Sequence, residues 1–312
     1  QTAWFIKCDI SSFKIDGVIL ISTDEVNKYC PDAIIVPGNV VPHFWPGIKV
    51  QIFHGLCEEK KGHYDITGFF DLYCTPGPQM TEKFEILQKK HKTFLVKETG
   101  WSKLDRFISK NTISEEKKLQ GVNPSRKTIL YAPTFSPKYQ SSEALFESIK
   151  KAQKYEFNWL VKFHDLEKIS TIQKYKTLVS DFFHIIEDDD ILQCMKVADI
   201  LLSDTSSVVY EFLLFDRPII TFNAITRIEK GINILNPDDI AGAITRSIED
   251  PNEFDESRKE ILNDIHPYTD GESSKRVIDT ILEIINGKEL EKLRSKPINW
   301  YRKRQIRKLV NS

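Results

Sequence analysis

Hydroxyl and carboxylate side chains follow a short apolar run in the stretch from Ala198 to Asn223. Ser206 and Ser207 stand where a helix would begin, and Glu211 would share one helix face with Ser207, four residues before it. Backbone N–H groups at a helix start bind phosphate, and the two hydroxyls would add donors there. A carboxylate on the same face suits hydrogen bonds to the hydroxyls of a nucleotide ribose. The alternative is an ordinary capped helix with a solvated glutamate.

The residues around these side chains predict a strand, a tight turn, a helix and a second strand. The apolar run Ile200–Leu202 is typical of a strand that is buried on both faces of a parallel sheet. Asp204 and Thr205 are good N-cap residues for a helix that begins with Ser206, and Pro218 would end it. Ligands of open α/β sheets bind outside the carboxyl ends of the strands. The turn is therefore predicted to face a ligand.

His54 is a candidate general base. It follows the apolar segment KVQIF directly and precedes Gly55, which would let the chain turn sharply at the end of a strand. An imidazole can take a proton from a hydroxyl at neutral pH. The alternative is a loop histidine that is hydrogen-bonded to a backbone carbonyl.

Lys162 and His164 follow another predicted strand, FNWLVKF. They alternate with Phe163, so we expect both to point to one side at the end of the strand. Together they could offer positive charge and hydrogen-bond donors to a diphosphate. The alternative is a solvated lysine and a turn histidine.

A third candidate site is the turn between His266 and Arg276. Asp270-Gly271 predicts a turn, and the serines at 273 and 274 would open the next helix as a second anion site. The alternative is a well-formed helix start that binds no ligand.

Short apolar runs alternate with helical patterns along the chain, which predicts an α/β fold. The runs AWFIK, GVILIS, DAIIVP, KVQIF, GFFDLYC and TFLVK predict strands of a first domain, and KTILYAPTF begins a second. We expect two Rossmann-like, doubly wound domains that face a cleft. The predicted boundaries are 1–118 for the first domain, 119–287 for a nucleotide-binding domain and 288–312 for a basic helical tail.

Composition excludes several classes of protein. The net charge of −1 over 312 residues argues against a protein dominated by nucleic-acid binding. The five cysteines form no CxxC pair, which favours reduced thiols and a cytoplasmic location. No run is long enough for a membrane span, and no histidine or acidic cluster has metal-ligand spacing, so we expect neither a metal nor another cofactor. The chain does not begin with Met, and we expect residues upstream of it.

Six motifs, in this order, resemble the CDP-glycerol glycerophosphotransferase family of teichoic-acid primases and polymerases. Each motif is weak, but the ordered set is fairly specific, and it extends from about Ile48 to Arg276. The motifs are HG at 54–55, TGWSKLD at 99–105, ILYAPTF at 129–135, KFHD at 162–165, SDTSSVVYEFLLFDRPIITF at 203–222 and YTDGESSKR at 268–276. The resemblance implies a GT-B fold with the nucleotide mostly on the second domain. It also implies transfer of glycerol phosphate or a related polyol phosphate from a CDP-activated donor, with release of CMP.

The resemblance also implies roles for single residues. His54 matches the histidine of the family's HG motif, the base that acts on the acceptor hydroxyl. His164 matches the histidine of a Lys-x-His-Pro motif that binds the donor diphosphate, with Lys162 as its lysine and Asp165 in place of the usual proline.

Six further residues match the family's donor site. Ser206 and Ser207 match a pair of hydroxyls that binds phosphate, and Glu211 stands where the family often has Asp. Asp270, Gly271 and Ser274 match an Asp-Gly-x-x-Ser turn.

Other functions stay open at this point. The stretch DTSSVVYE is also similar to the corresponding part of UDP-GlcNAc 2-epimerases, so a glycosyltransferase or epimerase that uses a sugar nucleotide is the alternative enzyme. A catalytically silent nucleotide-binding subunit is a third hypothesis, which His54, His164 and the serine pair disfavour. The resemblance implies a lipid-linked or polymeric acceptor for an envelope or capsular polymer.

The C-terminal tail carries a separate hypothesis. Residues 288–312 contain nine Lys or Arg and two Glu, with Trp300 and Tyr301 beside the basic cluster. Ile306, Leu309 and Val310 fall at helical spacing. This pattern suits peripheral binding to an anionic membrane at the inner face. The alternative is a helix that packs back onto the first domain through Trp300 and Ile306.

Overall fold

The structure, a computed structural model, describes residues 1–6, 15–56, 64–107, 112–119, 121–187 and 191–311. Among these residues Cys30 and Cys74 carry free thiols and Cys194 is buried, whereas Cys8 and Cys57 lie outside the described residues. The strands are β1 (Ala3–Phe5), β2 (Val18–Leu20), β3 (Ala33–Val36), β4 (Ile48–Gln51), β5 (Leu72–Thr75), β6 (Leu95–Glu98), β7 (Thr128–Tyr131), β8 (Asn158–Val161), β9 (Phe183–Ile185), β10 (Ile200–Ser203), β11 (Ile219–Phe222) and β12 (Ile232–Ile234).

The α-helices alternate with these strands as predicted, and short 3-10 turns follow several of them. The helices are α1 (Thr23–Tyr29), α2 (Pro78–His91), α3 (Ile113–Leu119), α4 (Ser142–Ala152), α5 (Ile169–Lys176), α6 (Ile191–Val197), α7 (Ser207–Phe212), α8 (Ile240–Glu249), α9 (Asp255–Ile265), α10 (Ser273–Asn286) and α11 (Trp300–Asn311).

The chain divides into two compact units, each built on parallel strands. The first unit contains residues 1–54, 58–102 and 272–312, and the second contains residues 55–57 and 103–271. These limits differ from the predicted boundaries at 118/119 and 287/288. The physical reason is α10, whose Val277, Ile281 and Ile284 pack against Val50 and Leu72 of the first unit's sheet.

The first unit is built on a four-stranded parallel sheet in the order β3-β4-β5-β6, with β1 and β2 as a separate parallel pair. The aromatic side chains of Trp45, Phe84 and Phe94 lie in one of its cores. Strand β4 therefore occupies the interior of this sheet, and its carboxyl end leads directly to His54.

The second unit is built on a six-stranded parallel sheet in the order β12-β11-β10-β7-β8-β9. Each of the strands β7, β8, β10 and β11 has four residues, and all of them are buried, as the continuous apolar runs predict. Helix α4 contributes Leu145, Phe146 and Ile149 to the core. Counted within the unit, the strand order is 3-2-1-4-5-6. The order reverses between β7 and β10, where α/β sheets of this kind open the crevice that binds ligands.

Candidate functional site

The carboxyl ends of β7, β8 and β10 lie at the reversal point of the second sheet, and four of the candidate donor-binding residues follow β8 and β10. Because these strands are neighbours in the parallel sheet, their carboxyl ends lie at one edge. Residues 132–135 follow β7, residues 162–165 follow β8, and residues 204–207 follow β10. The structure therefore brings Lys162, His164 and the serine pair to the reversal point of one sheet.

The serine pair begins helix α7, but the cap differs from the predicted one. Ser206 is the N-cap residue, and its hydroxyl accepts a hydrogen bond from the backbone N–H of Val208 at 3.4 Å. The prediction that Asp204 or Thr205 caps the helix is wrong. The carboxylate of Asp204 is instead occupied by donors on another loop, whereas Ser206 and Ser207 are half-buried.

Glu211 is 3% exposed, so the alternative of a solvated glutamate is wrong. Its carboxylate lies 2.8 Å from the ammonium of Lys103, whose side chain is 45% exposed. This ion pair joins residues that are 108 positions apart in the chain. Lys103 belongs to the motif TGWSKLD, but sequence reasoning gave it no role because nothing in its spacing relates it to Glu211.

His164 is exposed, and backbone groups determine which of its ring nitrogens carries the proton. Its Nδ1 accepts a hydrogen bond from the N–H of Leu166 at 3.1 Å. A neutral His164 therefore carries its proton on Nε2 and can donate from that atom. The ring of Phe135 packs against the imidazole, with centroids 4.2 Å apart.

Lys162 is buried, so the alternative of a solvated lysine is wrong. Its ammonium lies 3.9 Å from a carboxylate oxygen of Asp165, the residue that replaces the proline of the family motif. Its backbone N–H continues the sheet by donating to the carbonyl of Tyr131 at 3.0 Å. The charge of Lys162 therefore lies at the end of β8, close to an acidic side chain.

His54 has the opposite hydrogen-bonding arrangement. Its Nδ1 lies 3.1 Å from the carbonyl oxygen of Pro37, which can only accept. A neutral His54 therefore carries its proton on Nδ1 and its lone pair on Nε2. The indole N–H of Trp101 donates to the carbonyl of Phe53, the preceding residue. The alternative prediction, a histidine hydrogen-bonded to a backbone carbonyl, is therefore correct for this contact. The same contact is compatible with a general base, because it leaves the lone pair on Nε2.

The third predicted turn has the expected backbone. Gly271 has φ +76°, a left-handed conformation that glycine adopts without strain, and α10 begins two residues later at Ser273. Ser273 is buried, whereas Ser274 and Asp270 are exposed. The guanidinium of Arg276 donates to the carbonyl of Thr99 at 2.9 Å and to the hydroxyl of Ser273 at 3.4 Å. These bonds fix the first turn of α10 in the first unit.

Among the described residues, no group of three or more His, Cys, Asp or Glu side chains is placed to hold a metal ion. None of the helices in this part of the chain combines the length and the apolar composition that a bilayer crossing requires.

The motifs at these strand ends lie inside one family match. The sequence profile of CDP-Glycerol:Poly(glycerophosphate) glycerophosphotransferase matches residues 58–283, well over half of the chain. The chain belongs to this family. The match includes Lys162, His164, the serine pair and Glu211, whereas His54 lies before its first residue. The predicted resemblance is confirmed.

Two curated bacterial proteins match parts of the chain. The teichoic acid poly(glycerol phosphate) polymerase of Bacillus spizizenii is 31% identical over 166 residues, which cover 49% of this chain and 41% of that polymerase. The teichoic acid glycerol-phosphate primase of Bacillus subtilis is 28% identical over 177 residues, which cover 52% of this chain and 45% of that primase. The matched segments thus span less than half of either relative.

Solved structures show the fold. The wall teichoic acid polymerase TagF superimposes with a TM-score of 0.63 at 15% identity, covering 82% of this chain and 72% of that one. The UDP-GlcNAc 2-epimerase from Neisseria meningitidis gives a TM-score of 0.59 at 19% identity, covering 84% and 79% of the two chains. The chain therefore has a GT-B type fold, as predicted.

Proposed function

We propose that this chain transfers glycerol phosphate, or a related polyol phosphate, from a CDP-activated donor to an acceptor hydroxyl and releases CMP. The acceptor is a lipid-linked or polymeric chain of a bacterial envelope or capsule. The observation that carries the proposal is the family match over residues 58–283, which contains the motifs at the reversal point of the second sheet.

The second unit supplies the proposed donor-binding groups. His164 donates from Nε2 to the diphosphate, and Lys162 adds positive charge beside it. The hydroxyls of Ser206 and Ser207 donate to phosphate oxygens at the start of α7. Donors that are already oriented stabilise the charge that develops on the transferred and departing groups during the reaction.

Glu211 is proposed to bind the ribose hydroxyls. Its carboxylate lies 2.8 Å from the ammonium of Lys103, and a carboxylate in this position could accept two hydrogen bonds from a diol. Asp270, Gly271 and Ser274 are proposed as further donor-binding positions, since they match the family's turn and the side chains of Asp270 and Ser274 are exposed.

His54 is proposed as the base. The lone pair on its Nε2 takes the proton of the acceptor hydroxyl while the hydroxyl oxygen attacks the phosphorus nearest to glycerol. The bond between that phosphorus and the CMP oxygen breaks, and CMP leaves with the electron pair. The contact between Nδ1 and the carbonyl of Pro37 fixes the ring and its tautomer for this step.

Nucleotide release tests the proposal. The full chain is incubated with CDP-glycerol, CDP-ribitol or UDP-GlcNAc, each with a short glycerol-phosphate acceptor, and the released nucleotide is quantified. We expect CMP from a CDP-polyol and no UDP from UDP-GlcNAc. Release of UDP from the sugar nucleotide, with no CMP from either CDP-polyol, would contradict the proposal and favour a sugar-nucleotide enzyme.

We also propose that the tail binds an anionic membrane at the cytoplasmic face, where a lipid-linked acceptor would lie. Ile306 is buried in a core of the first unit and Val310 packs partly against it, so the tail packs through these two residues. Trp300 is 68% exposed, which contradicts the alternative that it packs as well. The side chains of Tyr301 and Leu309 are also exposed, and they stand among basic residues.

Vesicle co-sedimentation tests this second proposal. The triple variant Trp300→Ala, Tyr301→Ala, Leu309→Ala keeps Ile306 and so keeps the packed side of α11. We expect it to lose most binding to vesicles that contain phosphatidylglycerol, and we expect salt to weaken binding of the unmodified chain. The matched control replaces Ile278 and Leu282, two exposed apolar residues of α10, by alanine. Equal sedimentation of the triple variant and the unmodified chain would contradict the proposal.

A further inference from the structure

Asp204 lies at the reversal point of the second sheet, immediately after β10, and its side chain is 1% exposed. The backbone N–H of Thr134 donates to both of its carboxylate oxygens, at 2.9 and 3.1 Å. The backbone N–H of Ser141 donates at 3.0 Å and its hydroxyl at 2.7 Å. The carboxylate thus holds the loop that follows β7 near both of its ends.

Neighbouring groups complete this connection between the two strands. The hydroxyl of Ser203 donates to the carbonyl of Ala132 at 2.6 Å, and the hydroxyl of Tyr131 lies 2.9 Å from that of Ser141. Two backbone groups at the start of the loop after β7, the carbonyl of Ala132 and the N–H of Thr134, are therefore hydrogen-bonded to side chains at the end of β10. Thr134 and Asp204 are 70 positions apart in the chain.

The loop held by Asp204 carries the aromatic ring that packs against His164. Phe135 follows Thr134 directly, so the bonds to the N–H of Thr134 fix the backbone from which Phe135 projects. The Phe135 ring lies with its centroid 4.2 Å from that of the imidazole. His164 is otherwise held by the N–H of Leu166, two residues along its own exposed loop.

We propose that Asp204 is a positioning residue, which holds the loop after β7 so that Phe135 keeps the imidazole of His164 in its donating orientation. The inference rests on the proposed function of His164 as a donor to the diphosphate. Asp204 itself touches no substrate, because its oxygens are occupied by Thr134 and Ser141.

The orientation of His164 can be measured without substrate. The protein contains seven histidines, so ¹⁵N labelling of histidine gives a small set of imidazole signals, and His164→Gln identifies that of His164. We expect a protonated Nε2 and an unprotonated Nδ1 for His164 in the unmodified chain. In Asp204→Asn we expect a mixture of both tautomers, because an amide cannot accept from all four donors.

Asp199 provides a matched control at the other end of the same strand. Its carboxylate accepts from the N–H of Thr128 at 2.7 Å and from the ammonium of Lys117, so it also ties β10 to a neighbouring segment. We expect Asp199→Asn to lower stability and to leave the His164 signal unchanged. If Asp204→Asn does not fold, Ser141→Ala and Phe135→Leu replace it, since each removes one link of the same connection.

A double-mutant cycle gives the functional test. We expect Asp204→Asn to lower kcat/KM for the CDP-activated donor about tenfold, and to cause no further loss when His164 is already alanine. Unchanged tautomers in Asp204→Asn, or fully additive losses with His164→Ala, would overturn the inference. If no CDP-polyol is turned over at all, the proposed function fails, whereas the tautomer measurement still decides the role of Asp204.

Discussion

The loops that carry His54 and His164 look alike in sequence and differ in one hydrogen bond. Each histidine follows the carboxyl end of a buried parallel strand, and each has a backbone partner for Nδ1. The partner of His54 is the carbonyl of Pro37, whereas the partner of His164 is the N–H of Leu166. In neutral His54 the contact leaves the lone pair on Nε2, whereas in neutral His164 it leaves the proton on Nε2. In the proposed mechanism, one residue type thus provides a base in one unit and a hydrogen-bond donor in the other.

The largest expected effect is that of removing the base. His54→Ala should lower transfer by about 10²–10⁴-fold, the usual contribution of a general base, and should leave the affinity for CMP and the donor nearly unchanged. Titration calorimetry with CMP and initial rates with CDP-glycerol provide the two measurements. Near-normal turnover by the folded variant would remove His54 from the mechanism.

Glutamine separates the two histidines more finely, because its terminal amide can donate but cannot act as a base. We expect His164→Ala to slow transfer by about a hundredfold and to weaken donor binding, and His164→Gln to recover part of both. We expect the transfer rate of His54→Gln to be no higher than that of His54→Ala. Recovery in His54→Gln, with none in His164→Gln, would reverse the two roles.

Donor affinity gives a smaller effect. Ser207→Ala and Glu211→Ala should each weaken donor binding by roughly tenfold or more, about 1–3 kcal/mol, because each removes a hydrogen bond to a charged partner. Lys103→Met is the companion variant, since it removes the partner of Glu211 and leaves the carboxylate in place. Unchanged nucleotide affinity in Ser207→Ala, Glu211→Ala and His164→Ala would show that the donor binds elsewhere.

The smallest expected effect concerns stability against pH. Burial raises the pKa of the Asp204 carboxyl from 3.8 to about 7, although the bonds from Ser141 and Thr134 act in the opposite direction. Stability from this group is therefore fully present below about pH 4 and is lost as pH rises through 7.

Asp204→Asn should accordingly remove about 1–2 kcal/mol of the difference in unfolding free energy between pH 5 and pH 8. Urea unfolding of both proteins at the two pH values measures this difference. An identical pH dependence in the variant would show that the carboxyl keeps one protonation state over this range.

Local sequence was sufficient to place the strands and the histidines, since apolar runs such as Ile200–Leu202 and the residues that follow them are contiguous. It could not assign the N-cap, because Asp204, Thr205, Ser206 and Ser207 can all cap a helix. Asp204 is not the N-cap because its carboxylate accepts hydrogen bonds from Thr134 and Ser141, which lie 70 and 63 residues away in the chain.

The tautomer of His54, the partner of Glu211 and the domain limits could not be predicted for the same reason. The partner of His54 lies 17 residues away, and the cation beside Glu211 lies 108 residues away. The amphipathic pattern of α10 predicts a helix with one buried face, but it does not say which sheet that face covers. Val277 and Ile281 pack on the first unit's sheet, although they follow the second unit in the chain.

This last arrangement has a consequence for biosynthesis. Nearly all of the second unit is one continuous segment, residues 103–271, whereas the first unit also needs residues 272–312. During translation the second unit can complete its core while Val50 and Leu72 still lack the side chains of α10 that cover them. The first unit is thus completed after the second, although most of it precedes the second in the chain, and a chain released after residue 271 would keep an uncovered apolar sheet face.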